Sequence, residues 1–166
     1  LVDIGVAGIL ALPFLMKSPA IRATAALGYA VVYQLLFMTT DYGEWTMTKS
    51  IDGGPLGPLS WVFMFLAGTI VYDFVTAGAR KNLVRNCVGA GLALCAAGWF
   101  FHAAWPGLKA EWFFSQRAMT LPYVFFSTGL CVLLYVPFHM LCDLKGLRIP
   151  HLTVLGLNPL VVYIVQ

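Results

Sequence analysis

Long apolar stretches separated by short polar gaps organise this sequence. The six stretches cover residues 1–16, 21–38, 58–75, 87–105, 118–141 and 152–166. Each comes close to the roughly 20 residues that an α-helix needs to cross the hydrocarbon core of a bilayer. The pattern therefore predicts an all-α protein, a polytopic transmembrane helix bundle with about six spans.

The basic residues alternate between rich and poor gaps. With Arg22, at the very start of the second stretch, counted in the first gap, the first, third and fifth gaps contain seven of the ten Lys and Arg residues, namely Lys17, Arg22, Arg80, Lys81, Arg85, Lys145 and Arg148. The second and fourth gaps contain only Lys49, Lys109 and Arg117. Cytoplasmic loops of membrane proteins carry the excess of Lys and Arg. We therefore expect the three basic gaps to be cytoplasmic and the N-terminal end to lie outside, in a bacterial cytoplasmic membrane.

The composition agrees with a membrane protein. Hydrophobic residues make up 60% and charged residues 10% of the chain, whereas a soluble domain carries about 25% charged residues. The net charge of +3 is explained by the basic gaps. No run combines dense Lys and Arg with exposed aromatic residues, as nucleic-acid grooves do. Membrane lipid is the expected partner, and nucleic acid is not.

The two ends of the sequence lie inside apolar stretches. Leu1 is already within the first stretch, and no charged n-region or cleavage site marks this stretch as a signal peptide. We therefore expect residues 1–166 to be a single transmembrane domain from the C-terminal part of a longer membrane protein. The cysteines form no CxxC pair and lack metal-finger spacing, so we expect small buried residues and no metal site.

The tryptophans concentrate on the predicted outer side. They are Trp45, Trp61, Trp99, Trp105 and Trp112. Interfacial tryptophans anchor helices at the headgroup level, but such belts normally occur at both surfaces. One interpretation is anchoring. The other is an outer cavity in which Trp45 and Trp112 stack on the rings of a saccharide substrate.

Four polar residues are further candidates for substrate binding. Asp52 could bind a sugar hydroxyl, although Asp before Gly is also an ordinary turn residue. Ser115 and Arg117 open the fifth span, where Arg117 could pair with an anionic group or extend to the headgroups. Asn158 precedes Pro159 in the last span, which is tolerated where neighbouring helices or water satisfy the backbone.

Catalytic and donor-binding residues are less specific. His102 is near the outer end of the fourth span, a weak candidate for a general base. A histidine at a span end, as His139 and His151 also are, can equally be an interfacial polar residue. The inner cations could contact the phosphates of a nucleotide-like donor, and these are Arg80, Lys81, Arg85, Lys145 and Arg148. The GxSxG, HExxH, P-loop and GxGxxG motifs are absent.

Three segments carry a resemblance to a known family. They are DGGPLGPLSW at residues 52–61 with the step at 66–68, FSQRAMTLPYVFFSTGL at 114–130, and LGLNPLVVY at 155–163. Their order and spacing are similar to those of the heparan-α-glucosaminide N-acetyltransferase-like membrane proteins.

The resemblance implies a membrane acyltransferase. It would take an acetyl group from acetyl-CoA at the cytoplasmic face and pass it to an amino sugar on the other side. A homodimer is a separate expectation for the protein. The family's proposed catalytic histidine belongs to an N-terminal half that has no counterpart in residues 1–166. The resemblance therefore assigns the catalytic role to none of the three histidines.

Two other classes of function stay open from the sequence. A transporter or flippase would use the broken last span at Asn158 and Pro159 as a midplane binding site. A structural or assembly subunit would carry no chemistry.

Overall fold

The computed structural model describes residues 2–77, 80–103, 112–148 and 150, with Arg80 and Lys81 described by their backbone alone. This part of the chain is helical and has no β-strand, which confirms the all-α class. Its α-helices are α1 Val2–Ala11, α2 Pro19–Thr39, α3 Tyr42–Lys49, α4 Gly57–Thr76, α5 Arg80–Ala103 and α6 Leu121–Phe138. Short 3-10 turns occupy Leu12–Phe14 and Gly54–Leu56, and a π-helical segment, His139–Leu144, continues α6.

Four helices in the described residues are long and apolar enough to cross a bilayer, namely α2, α4, α5 and α6 with its continuation. The chain is therefore an integral membrane protein. These helices correspond to the second to fifth predicted spans. The first predicted span forms the shorter apolar helix Val2–Phe14, and the sixth lies outside the described residues. The count of about six spans thus stays a prediction.

Local sequence signals set the start of α2. The Ser18 side chain accepts a hydrogen bond from the Ile21 backbone N–H at 3.5 Å, and Pro19 occupies the first helical position. Serine at the N-cap followed by proline is a favoured helix start. In lipid every backbone polar group must be paired within the protein, so an apolar run of this length becomes a helix.

The core lies where α4 packs against α1 and α2. Small residues bring the helices together, and larger apolar side chains fill the space between them. The buried residues at its centre are Ala7, Ala11, Ala26, Ala30, Val62 and Leu66.

Helices α5 and α6 approach each other at glycines. A Cβ atom built on Gly98 would lie 2.7 Å from the Pro122 carbonyl oxygen and 2.8 Å from the Phe126 nitrogen. One built on Gly129 would lie 2.7 Å from the Gly91 carbonyl oxygen. The small residues of the fourth apolar stretch therefore pack helices closely, as such residues do in membranes.

The chain divides into two compact units between Leu133 and Leu134, a point inside α6. In the second unit Pro137 lies inside α6 just before the π-helical segment. Proline removes a backbone donor, and π-helical turns occur where the regular ladder is interrupted.

Successive spans run in alternate directions, so the first unit has two ends. We call residues 40–56 and 112–120 the loop end, and the start of α2 with the end of α4 the basic end. The assignment of the basic end to the cytoplasm stays a prediction.

Candidate functional site

The first segment of the loop end contains a helix that the sequence did not predict. Residues 39–56 belong to a polar gap between two apolar stretches, yet Tyr42–Lys49 forms α3. Glu44 lies in its first turn and Lys49 in its last, which suits the helix dipole. The glycine-rich residues 51–56 form turns and a short 3-10 helix.

The Asp-Gly-Gly turn adopts an unusual backbone conformation. Asp52, Gly53 and Gly54 have φ angles of 55°, 83° and 64°, in the left-handed region that glycine adopts readily and Asp tolerates better than most residues. A Cβ atom on Gly53 would lie 2.8 Å from the Gly57 Cα and 3.0 Å from the Tyr33 hydroxyl. Gly53 is therefore required both by its φ angle and by its neighbours.

Hydrogen bonds join this turn to the second segment of the loop end. The Gly53 backbone N–H donates to the Arg117 carbonyl at 2.9 Å. In return, Arg117 Nε donates to the Ser50 carbonyl at 2.7 Å, and Arg117 Nη2 donates to the Thr48 carbonyl at 3.3 Å. Arg117 thus holds the C-terminal end of α3 through two hydrogen bonds.

Two tyrosines pair with the backbone at this junction. Buried Tyr33 of α2 donates its hydroxyl proton to the Ala118 carbonyl at 2.7 Å, and the Gly53 carbonyl lies 3.3 Å away. The Tyr42 hydroxyl donates to the same Gly53 carbonyl and accepts from the Leu56 N–H at 2.9 Å. Sequence reasoning missed both tyrosines.

A signal for this junction was present in the sequence. Tyr33 and Gln34 place two polar groups in the middle of an apolar span. Gln34 Oε1 accepts a hydrogen bond from the Leu121 N–H at 2.9 Å, so it pairs one of the orphan donors that begin α6. Polar residues inside a predicted span mark contacts with other segments.

Ser115 belongs to the internal bonding of the second segment. Its hydroxyl accepts a hydrogen bond from the Ala118 N–H at 3.1 Å. The Thr120 hydroxyl donates to the Phe113 carbonyl at 2.7 Å, and the Ser60 hydroxyl of α4 donates to the Met119 carbonyl at 3.2 Å. Ser115 and Arg117 therefore hold the loop in place, and a role in substrate binding stays a prediction.

The Asp52 carboxylate differs from its neighbours. It is half-buried and, among the described residues, accepts no hydrogen bond. Within the described part of the chain, its acceptors therefore remain open to a ligand.

The predicted tryptophans have different surroundings. Trp45 stacks on Tyr42 with ring centroids 5.7 Å apart and remains 41% exposed. Trp112 stacks on Phe101 at 5.8 Å and is half-buried. Trp45 can therefore offer a ring to a ligand, whereas Trp112 contributes to helix packing.

His102 lies among aromatic rings at the loop end of α5. Its ring centroid is 4.4 Å from that of Phe114, and Trp99 and Phe113 also contact it. Its Nδ1 lies 3.3 Å from the Trp112 carbonyl oxygen. A carbonyl only accepts, so this bond requires a proton on Nδ1 and leaves Nε2 as the acceptor of a neutral ring.

The predicted donor-binding cations are divided between the two units. Arg85 is exposed on α5, and Arg148, like Lys145, is exposed in the second unit. Within the described part of the chain, none of the three forms an ion pair. The side chains of Arg80 and Lys81 lie outside the described residues, as do Asn158, Pro159, His151 and Trp105.

The second unit holds its own polar pair. His139 Nδ1 lies 2.6 Å from Asp143 Oδ2, and its ring stacks on Tyr135 with centroids 5.6 Å apart. The four cysteines are unbonded, and the described residues contain no cluster suited to a metal ion.

The basic end contains an ion pair that sequence reasoning also missed. Arg22 Nη2 of α2 pairs with Asp73 Oδ2 of α4. From the sequence, Arg22 was interpreted only as one of the basic residues that set the topology. An acidic residue at the end of one span and an arginine in the first turn of another were the available indication.

Comparisons with known proteins were negative. No protein-family model, no curated protein and no solved structure matches this chain. The resemblance of the three segments therefore stays a prediction.

Proposed function

We propose that this chain is part of a membrane acyltransferase. It would transfer an acetyl group from acetyl-CoA, bound at the basic end, to an amino sugar bound at the loop end. The hydrogen bond from the Gly53 N–H to the Arg117 carbonyl gives this proposal its main support. It joins two of the segments on which the resemblance rests, although they are far apart in sequence.

The loop end offers groups suited to an amino sugar. The Asp52 carboxylate can accept hydrogen bonds from hydroxyl groups or pair with an ammonium group. Trp45 offers an exposed ring on which a sugar face can stack. Arg117 and Ser115 support this arrangement by hydrogen bonds to the loop backbone.

The reaction would be an acyl transfer between an amine and a thioester. The amine nitrogen attacks the thioester carbonyl carbon, the carbon–sulfur bond breaks, and the CoA thiolate leaves. A general base takes the amine proton. His102, with Nε2 as its acceptor, is the candidate among the described residues, and exposed Arg85 has the charge to hold a donor phosphate.

Acetyl transfer in the full-length protein tests this proposal. Labelled acetyl-CoA and glucosamine should yield N-acetylglucosamine with protein reconstituted in nanodiscs. Asp52→Asn should lower kcat/KM for the amine by about 10- to 100-fold, because it removes a charged hydrogen-bond partner. Asp41→Asn, an exposed acid of the same segment, is the matched control and should leave kcat/KM unchanged.

The two halves of the proposal can fail separately. Absence of both turnover and CoA binding would reject the acyltransferase. Turnover that Asp52→Asn and Trp45→Leu leave intact would reject the acceptor site at the loop end. The transport alternative depended on Asn158 and Pro159, and no contact of the described residues favours it.

A further inference from the structure

A cavity opens at the basic end between the first turn of α2 and the last turns of α4. Its volume is about 420 Å³. Apolar side chains and a glycine form part of its wall, and its charged and hydroxyl groups are Arg22, Thr69, Tyr72 and Asp73. The acyl-transfer proposal uses none of these four residues.

Arg22 is a buried cation with a donor to spare. The residue is 5% exposed, and its Nη2 pairs with Asp73. Its Nε is also buried, and no hydrogen-bond acceptor among the described residues reaches it. Buried donors are nearly always paired with protein or with ordered water, so an unpaired guanidinium N–H on a residue that lines a cavity leaves a donor for an acceptor bound there.

The two members of the ion pair differ in their access to water. The Asp73 side chain is 37% exposed, whereas that of Arg22 is 6% exposed. Arg22 also lies in the first turn of α2, where the helix dipole favours negative charge. The cation is thus fixed inside the protein, while its carboxylate partner can turn outward into water.

We propose that this cavity binds a phosphate group, which pairs with Arg22 and displaces Asp73. A guanidinium presents parallel N–H donors that match two phosphate oxygens. Nε and Nη2 would provide this pair once Asp73 has turned away. The Tyr72 hydroxyl, which forms no hydrogen bond with the described residues, would donate to a third oxygen.

The other groups of the cavity are consistent with this ligand. Thr69 already donates its hydroxyl proton to the Leu66 carbonyl at 2.7 Å, so it supplies no donor. Asp73 is the resting counter-ion, and it would repel a bound anion if it stayed. Phosphate and Asp73 therefore compete for Arg22. This competition separates a binding site from an ion pair that only stabilises the fold.

Phosphate could come from a soluble compound or from a lipid headgroup, and two arms of one experiment distinguish them. The full-length protein is purified in maltoside micelles, which contain no phosphate. Pyrophosphate is titrated by calorimetry in the first arm. In the second, phosphatidic acid is added to the micelles and bound lipid is counted by native mass spectrometry. Binding in one arm alone identifies the source.

Three variants test the site itself. Arg22→Gln should weaken binding by about tenfold or more, the loss expected for a hydrogen bond to a charged group. Asp73→Asn should strengthen it, because the competing carboxylate is gone. Lys17→Gln removes an exposed cation just before α2 and is the matched control, with no expected change.

Each contrary result overturns the proposal. Absence of binding in both arms does so, as does equal weakening by Lys17→Gln and Arg22→Gln. If Arg22→Gln fails to fold, Asp73→Asn still decides, since unchanged or weaker binding would leave the ion pair a purely structural contact. The proposal does not depend on acyl transfer, because neither arm measures turnover.

Discussion

The Tyr33 hydroxyl of α2 donates a hydrogen bond to the Ala118 carbonyl, 85 residues away in sequence, at 2.7 Å. Both residues are fully buried. This bond ties a membrane-spanning helix to the loop that precedes α6. The Asp-Gly-Gly turn rests on the same hydroxyl, so Tyr33 organises the candidate acceptor site without belonging to its exposed surface.

Removal of the Tyr33 hydroxyl should destabilise the protein. Tyr33→Phe leaves the buried Ala118 carbonyl without this donor, at a cost of about 1–3 kcal/mol. Thermal unfolding in maltoside micelles measures the loss. Tyr29→Phe is the control, since Tyr29 is half-buried on the same helix and its hydroxyl makes no hydrogen bond with the described residues. Equal shifts in the two variants would contradict this role.

A methyl group at Gly98 should separate α5 from α6. The new Cβ would meet the backbone of Pro122 and Phe126, which cannot move aside as a flexible side chain can. We expect Gly98→Ala to cost about 1–3 kcal/mol, the usual range for overpacking. On the same helix, Gly89 has nothing within 4 Å of its built Cβ. Gly89→Ala should be neutral or stabilising by up to about 1 kcal/mol.

Comparing Gly53 of the Asp-Gly-Gly turn with Gly146 separates the cost of backbone strain from the cost of crowding. Gly146 has a φ of 68° but open space around its built Cβ, whereas Gly53 has a φ of 83° and close neighbours. Gly146→Ala should lower the free energy of unfolding by about 1–2 kcal/mol, which is the cost of a left-handed backbone conformation for a residue with a Cβ atom. Gly53→Ala should unfold at a clearly lower temperature than Gly146→Ala. Similar melting temperatures would show that the neighbours of Gly53 can move aside.

Arg117 should control the opening of the loop end. Without its guanidinium, the carbonyls of Thr48 and Ser50 lose their donors. Arg117→Gln should therefore speed amide hydrogen exchange in residues 50–54 by about tenfold. Lys49→Gln removes an exposed cation of the same segment and should leave the exchange unchanged. Unaltered exchange in Arg117→Gln would show that the hydrogen bonds of Arg117 do not keep this loop closed.

The orientation predicted from the basic gaps can be tested by labelling. In a background without the four native cysteines, Glu44→Cys should react with an impermeant maleimide added outside intact cells. Lys17→Cys should react only after the membrane is opened. Both positions are exposed and lie at opposite ends of α2. The reverse pattern would invert the proposed donor and acceptor sides.

Much of the fold could be read from the sequence. The apolar stretches at 21–38, 58–75, 87–105 and 118–141 each contain most of a membrane-length helix. Helix formation in lipid depends on local apolar length and on backbone pairing within the same segment. Ser18 and Pro19, together with the glycine-rich turn at 52–54, are likewise local signals. For these features the surrounding fold adds little.

The pairing of the segments came only from the tertiary structure. Asp52, Ser115 and Arg117 were predicted as separate candidates, and the fold joins their two segments through the Gly53–Arg117 hydrogen bond and the Tyr33 hydroxyl. Arg22 and Asp73, 51 residues apart, form an ion pair that no motif indicated. A membrane helix is apolar all round, so its sequence does not reveal which face meets a neighbour. The rotation of each helix about its own axis decides those contacts, and that rotation is set by the packing of the whole bundle.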